Sequence, residues 1–331
     1  MRLLILGGTR FLGRHLAEQA LARGHQLTLL HRGQSGPALF PQAEHRLSDR
    51  NGDLQALARG EWDAAIDTSA YLPRQVRALA DCLAGRVGHY QLVSTISVYA
   101  AFETAGTTES AALQTLADPD VQAVTGETYG GLKALCEAAA RTGFPGRCLV
   151  NRPGLLVGPY DPTGRFTWWV RRIGSGGTVL APGDPDGPVQ FIDARDAAAW
   201  MLLQAERRTL GTFNLTGPAL PLRWGELLET TVATLHPAAC LQWVDEAFLL
   251  AQGVAPWSDL PVWLPRESAG LHQVAIGPAL ATGLQCRALA QTLRDTAAWD
   301  EARVGIPPSP AVGLTAEREA TLLAAWQASR A

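Results

Sequence analysis

The chain has 331 residues, of which 47% are hydrophobic and 18% are charged, and a formal net charge of −3. This length exceeds the size at which a single core usually keeps growing, so two packed lobes are expected. A net charge this close to zero does not favour a surface for polyanions, and nucleic acid is not expected as the main partner.

The cysteines and the hydrophobic runs exclude further classes of protein. The five cysteines are far apart in sequence, without a C-x-x-C pair or a histidine cluster, so neither a metal site nor a disulfide framework is predicted. They are Cys82, Cys136, Cys148, Cys240 and Cys286. No apolar run approaches the roughly 20 residues that span a bilayer, and the chain opens on a strand pattern instead of a removable leader. A soluble protein of the cytoplasm is expected.

The first predicted unit is a strand, a glycine turn, a helix and a second strand. Residues 3–6 have the length of a buried parallel strand, a helical pattern follows with Gly24 as its C-cap, and residues 26–30 form the next strand. A dinucleotide pyrophosphate is favoured at such a turn, because free N–H groups and the positive helix end meet there and small residues allow close approach. The alternative is a turn that only joins strand to helix. The predicted cradle consists of Gly7, Gly8, Thr9, Arg10, Phe11, Leu12 and Gly13.

The end of the second strand indicates which dinucleotide binds. NAD sites usually carry an acidic residue there, whereas this chain has His31 and Arg32. A guanidinium suits a ribose 2′-phosphate, and Arg10 would add a second positive charge. NADP is therefore favoured over NAD. The alternative is that Arg32 is a solvated turn residue before Gly33.

Alternating strand and helix patterns continue through residues 62–67, 74–83 and 90–93, which predicts an α/β protein with a doubly wound parallel sheet, a Rossmann fold. Residues 100–125 have no strong period and form either an active-site flap or a surface insertion.

A tyrosine and a lysine four positions apart point to proton chemistry. If residues 128–141 are helical, Tyr129 and Lys133 lie on one helix face. An ammonium beside a phenol lowers the phenol's pKa, which a general acid or base near neutral pH requires. Tyr129 is therefore the predicted proton donor and acceptor.

Prolines, glycines and tryptophans become frequent from residue 157 onward, which predicts a second, smaller substrate lobe. Residues 190–214 are expected to return to the sheet, so the two lobes are interleaved. The tryptophans either pack in the core or form flat walls for a substrate, and residues 256–263 read as a loop that closes the pocket. The predicted domains are residues 1–156 plus 188–218 for the cofactor and residues 157–187 plus 219–331 for the substrate.

Together these motifs resemble the extended short-chain dehydrogenase/reductases, the NAD-dependent epimerase/dehydratase superfamily, in an atypical GGTRF-type branch. The markers are GGTRFLG at 7–13, Asp49, STISVYA at 94–100, YGGLK at 129–133, RPGLLVGP at 152–159 and QFIDARD at 190–196. The resemblance implies that Asp49 contacts the adenine, that Thr95 is the hydroxyl partner of Tyr129, and that residues 153–155 line the nicotinamide. The remaining expected cofactor contacts are Thr68, Lys133 on the nicotinamide ribose, Pro153 and Leu155.

Two departures from the family pattern bear on the substrate. Sugar dehydratases carry an acidic pair directly after the threonine, whereas Ile96 and Ser97 follow it here, so dehydration is disfavoured. Nucleotide-sugar epimerases carry an asparagine and an arginine where this chain has Leu155 and Val189, which argues against an ordinary nucleotide-sugar substrate. Other arginines would either meet an anionic group or form a solvated helix face. These are Arg165, Arg171 and Arg172.

The predicted function is an NAD(P)-dependent oxidoreductase or epimerase. It would transfer a hydride at a hydroxyl or carbonyl carbon of a small, sugar-like substrate, with Thr95, Tyr129 and Lys133 as catalytic residues. The alternative is a non-catalytic NAD(P)-binding regulatory protein or an RNA-associated protein on the same scaffold. A small-molecule substrate is the expected partner, without nucleic acid or membrane, and a homodimer is one option for assembly.

Overall fold

The computed structural model describes residues 1–102, 105–303 and 312–330. The strands in these ranges are β1 (Arg2–Leu6), β2 (Gln26–His31), β3 (Glu44–Leu47), β4 (Ala64–Asp67), β5 (Tyr90–Val93), β6 (Cys148–Pro153), β7 (Leu156–Val157), β8 (Thr178–Pro182), β9 (Pro188–Val189), β10 (Ile192–Asp193), β11 (Gly211–Leu215), β12 (Leu222–Arg223) and β13 (Cys240–Val244).

Helices alternate with the strands in the first half of the chain and predominate in the second half. They are α1 (Phe11–Ala22), α2 (Pro73–Cys82), α3 (Tyr129–Gly143), α4 (Arg165–Gly174), α5 (Ala194–Arg207), α6 (Trp224–Leu235), α7 (Glu246–Ala251), α8 (Gly277–Ala281), α9 (Leu289–Glu301) and α10 (Ala316–Ala328). Three short 3-10 helices cover Gln55–Leu57, Ile96–Val98 and Arg266–His272.

The seven-stranded sheet has the order β3-β2-β1-β4-β5-β6-β11, and all its neighbouring strands are parallel. The chain runs outward in one direction from β1 and in the other from β4, so the topological switch lies between these two strands. The predicted doubly wound parallel sheet is therefore confirmed. A crevice for a ligand is expected at this switch, outside the carboxyl ends of the strands.

Each face of the sheet is covered by a helix pair, because alternate residues of a strand point to opposite faces. Leu3 and Ile5 of β1 belong to one apolar cluster, into which α1 and α5 pack. Leu4 and Leu6 belong to the opposite cluster, which α2 and α3 cover. The buried strand predicted from the apolar run thus contributes to both cores.

The second lobe has its own apolar cluster, which includes Phe166, Trp169, Trp224 and Trp263. Two small strand pairs, β8 with β13 and β9 with β12, support it. Core packing is thus the role of most tryptophans in this lobe. The proposed division into residues 1–156 plus 188–218 and 157–187 plus 219–331 stays a prediction, and its residues 304–311 and 331 lie outside the described ranges.

The long segment between β5 and α3 is fixed to the body of the protein. Its Glu109 accepts from the Arg152 guanidinium through the backbone oxygen (3.0 Å) and from the Asn214 N–H through Oε1 (2.9 Å). Leu116 packs on Gly131 in the first turn of α3, where an added Cβ would lie 2.5 Å from the leucine Cγ. Glycine at this position lets the segment lie directly on the helix.

Replacing Gly131 with alanine tests this packing. On an exposed helix face, replacing glycine with alanine would raise the free energy of unfolding by up to about 1 kcal/mol. Here the new methyl group overlaps Leu116, so we expect a loss of about 1–3 kcal/mol in the free energy of unfolding, measured by urea denaturation.

Gly174→Ala is the matched control, because a Cβ at that helical glycine meets nothing within 4 Å. The double variant G131A/L116A should recover part of the loss. The packing would be contradicted if Gly131→Ala and Gly174→Ala changed the free energy of unfolding equally and neither lowered it.

Candidate active site

A cleft of about 850 Å³ lies at the carboxyl edge of the sheet. The ends of β1, β2, β4, β5 and β6 and the start of α3 line it. Every residue of the predicted site contributes to its lining except Gly8, which is buried, with Leu29 directly against it. Those at the lining are Gly7, Thr9, Arg10, Phe11, Leu12, Gly13, His31, Arg32, Asp49, Thr68, Thr95, Tyr129, Lys133, Pro153 and Leu155.

The glycine turn after β1 packs tightly against both α1 and β4. Gly7 has φ +89°, and a Cβ there would lie 2.6 Å from Thr68 Oγ1. A Cβ on Gly13 would overlap the carbonyl oxygen of Gly7. No side chain caps α1 and no acidic residue occupies its first turn. The free N–H groups and the positive end of the helix dipole therefore face the cleft, as a pyrophosphate requires.

Two arginines near this turn have guanidinium groups with no hydrogen bond or ion pair to any described residue. Arg10 and Arg32 are both exposed and both line the cleft. His31 differs, because its Nδ1 accepts from the Gly33 N–H (3.0 Å) and its Nε2 lies 2.8 Å from Nδ1 of His45. Burial, together with the nearby His45, lowers the pKa of His31. His31 is therefore a neutral link from β2 to β3, and Arg32 supplies the charge after β2.

The Asp49 carboxylate lies at the cleft but closes its own turn. Its Oδ1 accepts from the backbone N–H of Asn51 (2.9 Å) and from Asn51 Nδ2 (3.2 Å).

The neighbouring Arg50 forms a buried ion pair that sequence reasoning missed. Its two terminal nitrogens donate to the two carboxylate oxygens of Asp67 at 2.5 and 2.8 Å, and the Tyr90 hydroxyl donates to the same carboxylate at 3.1 Å. Asp67 is fully buried at the end of β4. Burial alone would raise the pKa of Asp67, but the Arg50 guanidinium outweighs it and holds this pKa below its ordinary value. The sequence does show an aspartate, Asp67, at the end of an apolar strand, but this pattern does not identify Arg50 as its partner.

Lys133 lies in α3, one turn after Tyr129, with its ammonium buried. Nζ donates to the carbonyl oxygens of Ala70 and Val93, each at 2.6 Å. These carbonyls follow β4 and end β5, so the lysine fixes α3 to two strand ends. An ammonium has three donors, which leaves one beyond these two bonds. Burial lowers the pKa of Lys133.

The Tyr129 phenol is half-buried at the first residue of α3. Burial, with a contribution from nearby Tyr71, raises the pKa of Tyr129 to about 12, and the Thr95 hydroxyl opposes this rise. The sequence predicted a lowering by Lys133. In the structure burial dominates, and Lys133 is not among the causes of the shift in the Tyr129 pKa. Thr95 Oγ1 accepts from the Ser97 N–H (3.1 Å), at the carboxyl end of β5.

The second lobe adds side chains to the cleft that the family motifs do not contain. Thr163 and Arg165 come from the start of α4, and Trp257 and Leu271 come from later segments. Trp257 is the one tryptophan of the described residues that lines the cleft, as a substrate wall would. Arg171 and Arg172 instead form ion pairs with Asp300 and Glu319.

The described residues of the segment 100–125 do not reach this cleft. None of its described residues lines it; residues 103 and 104 lie outside the described ranges. The contacts of Glu109 and Leu116 favour the surface insertion over the flap.

The chain belongs to the NAD dependent epimerase/dehydratase family, whose model matches residues 3–215. This membership confirms the resemblance seen in the motifs and supports a nicotinamide cofactor. A comparison with curated protein sequences found no match.

Solved structures of similar fold cover nearly the whole chain. A protein from Burkholderia cenocepacia J2315 that carries an epimerase assignment has a TM-score of 0.69 at 19% identity, with 92% of this chain and 98% of the other covered. UDP-glucuronic acid 4-epimerase from Bacillus cereus, in complex with NAD, has a TM-score of 0.66 at 14% identity, with 90% of this chain and 96% of the other covered. The human epimerase family protein SDR39U1 (isoform 2), with NADPH, has a TM-score of 0.62 at 22% identity, with 90% of this chain and 99% of the other covered. Likeness at these identities establishes the fold.

Two further findings concern the described residues only. No helix among them combines the length and apolarity needed to cross a membrane. Nor do these parts of the chain contain a group of three or more His, Cys, Asp or Glu side chains arranged to hold a metal ion.

The buried Arg50–Asp67 pair predicts a specific pH dependence. Because the folded-state pKa of Asp67 lies below 3.8, its ionised form adds stability above that pH, and this stability is lost as the pH falls through the folded-state value. Asp67→Asn leaves the Arg50 charge unpaired and should cost about 3–5 kcal/mol at neutral pH. The difference between wild type and variant should narrow below pH 3.8.

Free energies of unfolding measured by urea denaturation from pH 7 downward check this expectation. Asp245→Asn, at the exposed start of α7, is the control and should give no comparable loss at neutral pH. A constant difference between wild type and Asp67→Asn across the acid range would contradict the role of the ion pair.

Proposed function

We propose that this chain is an NADP-dependent oxidoreductase or epimerase that exchanges a hydride with a hydroxyl-bearing or carbonyl carbon, with Tyr129 as general acid and base. The observation that carries the proposal is the common cleft of the glycine turn, Thr95, Tyr129 and Lys133. Family membership supports the cofactor class. When bound, the nicotinamide supplies the hydride exchange.

The glycine turn fits a dinucleotide on steric and electrostatic grounds. Backbone atoms of Gly7 occupy the place where a Cβ on Gly13 would lie, so the turn lies close to α1. The uncapped start of this helix is open to the cleft. The pyrophosphate would accept from the N–H groups after Gly7, and the unpaired Arg32 and Arg10 would bind a ribose 2′-phosphate. Asp49 and Thr68 would line the adenosine half, and Pro153 and Leu155 the nicotinamide half.

Tyr129 would carry the proton. With a pKa near 12 its phenol stays protonated at neutral pH, which suits donation to a carbonyl oxygen. In the reverse direction, a positive charge close to the phenol favours its ionised form. The remaining Lys133 donor would bind the nicotinamide ribose, and the Thr95 hydroxyl would hold the substrate oxygen against the phenol.

The non-catalytic alternatives have less support. A regulatory or RNA-associated protein on this scaffold would not need Thr95, Tyr129 and Lys133 in one cleft, and a net charge of −3 does not favour a polyanion.

Tyr129→Phe removes only the phenolic oxygen. We expect hydride transfer to fall by about 10²- to 10⁴-fold, because general acid–base catalysis typically contributes that much, while NADP⁺ affinity stays within about twofold. NADPH oxidation over a fixed panel of aldehydes, ketones and sugars measures the first quantity, and cofactor titration measures the second.

Tyr160→Phe is the matched control and should keep wild-type turnover, because Tyr160 lies outside the cleft and packs against Trp299. Unchanged turnover in Tyr129→Phe would show that the proposed proton relay is wrong.

Arg32→Ala tests the cofactor preference. Loss of a charge-assisted bond to the 2′-phosphate should weaken NADP⁺ binding by about tenfold to a hundredfold and leave NAD⁺ binding unchanged. Calorimetric titration with both dinucleotides measures this split.

Arg77→Ala, on the exposed face of α2 away from the cleft, should change neither affinity. Equal affinity of the wild-type protein for NAD⁺ and NADP⁺ would contradict the role given to Arg32.

A further inference from the structure

The second lobe presents a positive charge to the cleft without a carboxylate partner among the described residues. Arg165 is the first residue of α4, is half-buried and lines the cleft beside Thr163. Its guanidinium carbon lies 5.5 Å from the ring centre of Trp257, within the range of a cation–π contact. The following arginines of α4 differ, because both are ion-paired. Arg165 therefore lines the cleft with a guanidinium that has no hydrogen-bond partner in the described parts of the chain.

Arg165 lies at the positive end of a helix dipole. The first turn of α4 contains no acidic residue, and the Thr163 hydroxyl oxygen accepts from the Arg165 N–H (3.4 Å). The nearby Asp161 carboxylate attracts this guanidinium but forms no ion pair with it among the described residues. Its oxygens accept from the Thr163 N–H (2.8 Å) and Oγ1 (3.0 Å) instead. The Arg165 guanidinium can therefore take an external anion as its hydrogen-bond partner.

We infer that Arg165, with Trp257 beside it, binds an anionic group of the substrate, a carboxylate or a phosphate. This rests on the proposed function, which assigns Arg10 and Arg32 to the cofactor and leaves Arg165 for the substrate. The substrate is then a small hydroxyl- or carbonyl-bearing anion. A small substrate is favoured because the cleft of about 850 Å³ has to hold the dinucleotide as well. Pockets for one ligand commonly measure about 300–1,000 Å³.

Calorimetric titration of the NADP⁺-saturated protein tests this anion site. Malonate and inorganic phosphate are the probes, and malonamide is the uncharged match for malonate. We expect at least one of the two anions to bind and malonamide not to bind. Malonate binding alone indicates a carboxylate site, and phosphate binding alone indicates a phosphate site; either result supports the inference.

Arg165→Gln should weaken binding of the anion by about tenfold to a hundredfold, the usual effect of losing a hydrogen bond to a charged group. The affinity of Arg165→Lys for the anion should lie between those of wild type and Arg165→Gln, because lysine keeps the charge but lacks the planar guanidinium. Arg77→Gln, outside the cleft, should bind the anion like wild type. NADP⁺ affinity should be unchanged in all three variants.

Three results would overturn the inference: no binding of either anion to wild type, equal binding to Arg165→Gln, or a parallel loss of NADP⁺ affinity in Arg165→Gln. The last would mean that the guanidinium serves the cofactor. Failure of the proposed function is distinguishable, because it appears as full hydride transfer in Tyr129→Phe while anion binding at Arg165 persists.

Discussion

The buried ammonium of Lys133 holds the candidate site together. It donates to backbone carbonyls of Ala70 and Val93, at the ends of two neighbouring strands. A buried ammonium without such partners would be strongly unfavourable, so α3 is held in the one register that satisfies it. Tyr129 lies one turn earlier on the same helix and is thereby fixed at the edge of the sheet, beside Thr95 and opposite the glycine turn.

This arrangement divides the cleft into two parts of different origin. The sheet lobe contributes the glycine turn, the strand ends and α3, which are the parts that the family motifs cover. The second lobe contributes Arg165 and Trp257, which no motif contains. In the proposed function, the sheet lobe binds the cofactor and the second lobe contributes to substrate binding.

The predictable features are those that local sequence determines. The apolar run of β1 and the glycines after it predicted the first βαβ unit, and the four-residue spacing predicted Tyr129 and Lys133 on one helix. The structure contains both. The partners of charged groups were not predictable. Arg50 pairs with Asp67, and the Lys133 ammonium donates to the Ala70 carbonyl, because chain segments distant in sequence meet there. Burial, which also depends on the tertiary structure, raises the pKa of Tyr129. The composition of the loop before α3 left an active-site flap and a surface insertion open, and the contacts of Glu109 and Leu116 favour the insertion.

A crystal structure of the complex with NADP⁺ tests the central claim most directly. The account predicts the 2′-phosphate within about 2.7–3.2 Å of donors on Arg32 or Arg10. It also predicts the nicotinamide between Tyr129 and residues 153–155, with Lys133 bonded to its ribose. A dinucleotide bound outside this cleft, or a nicotinamide ring out of reach of Tyr129, would contradict it.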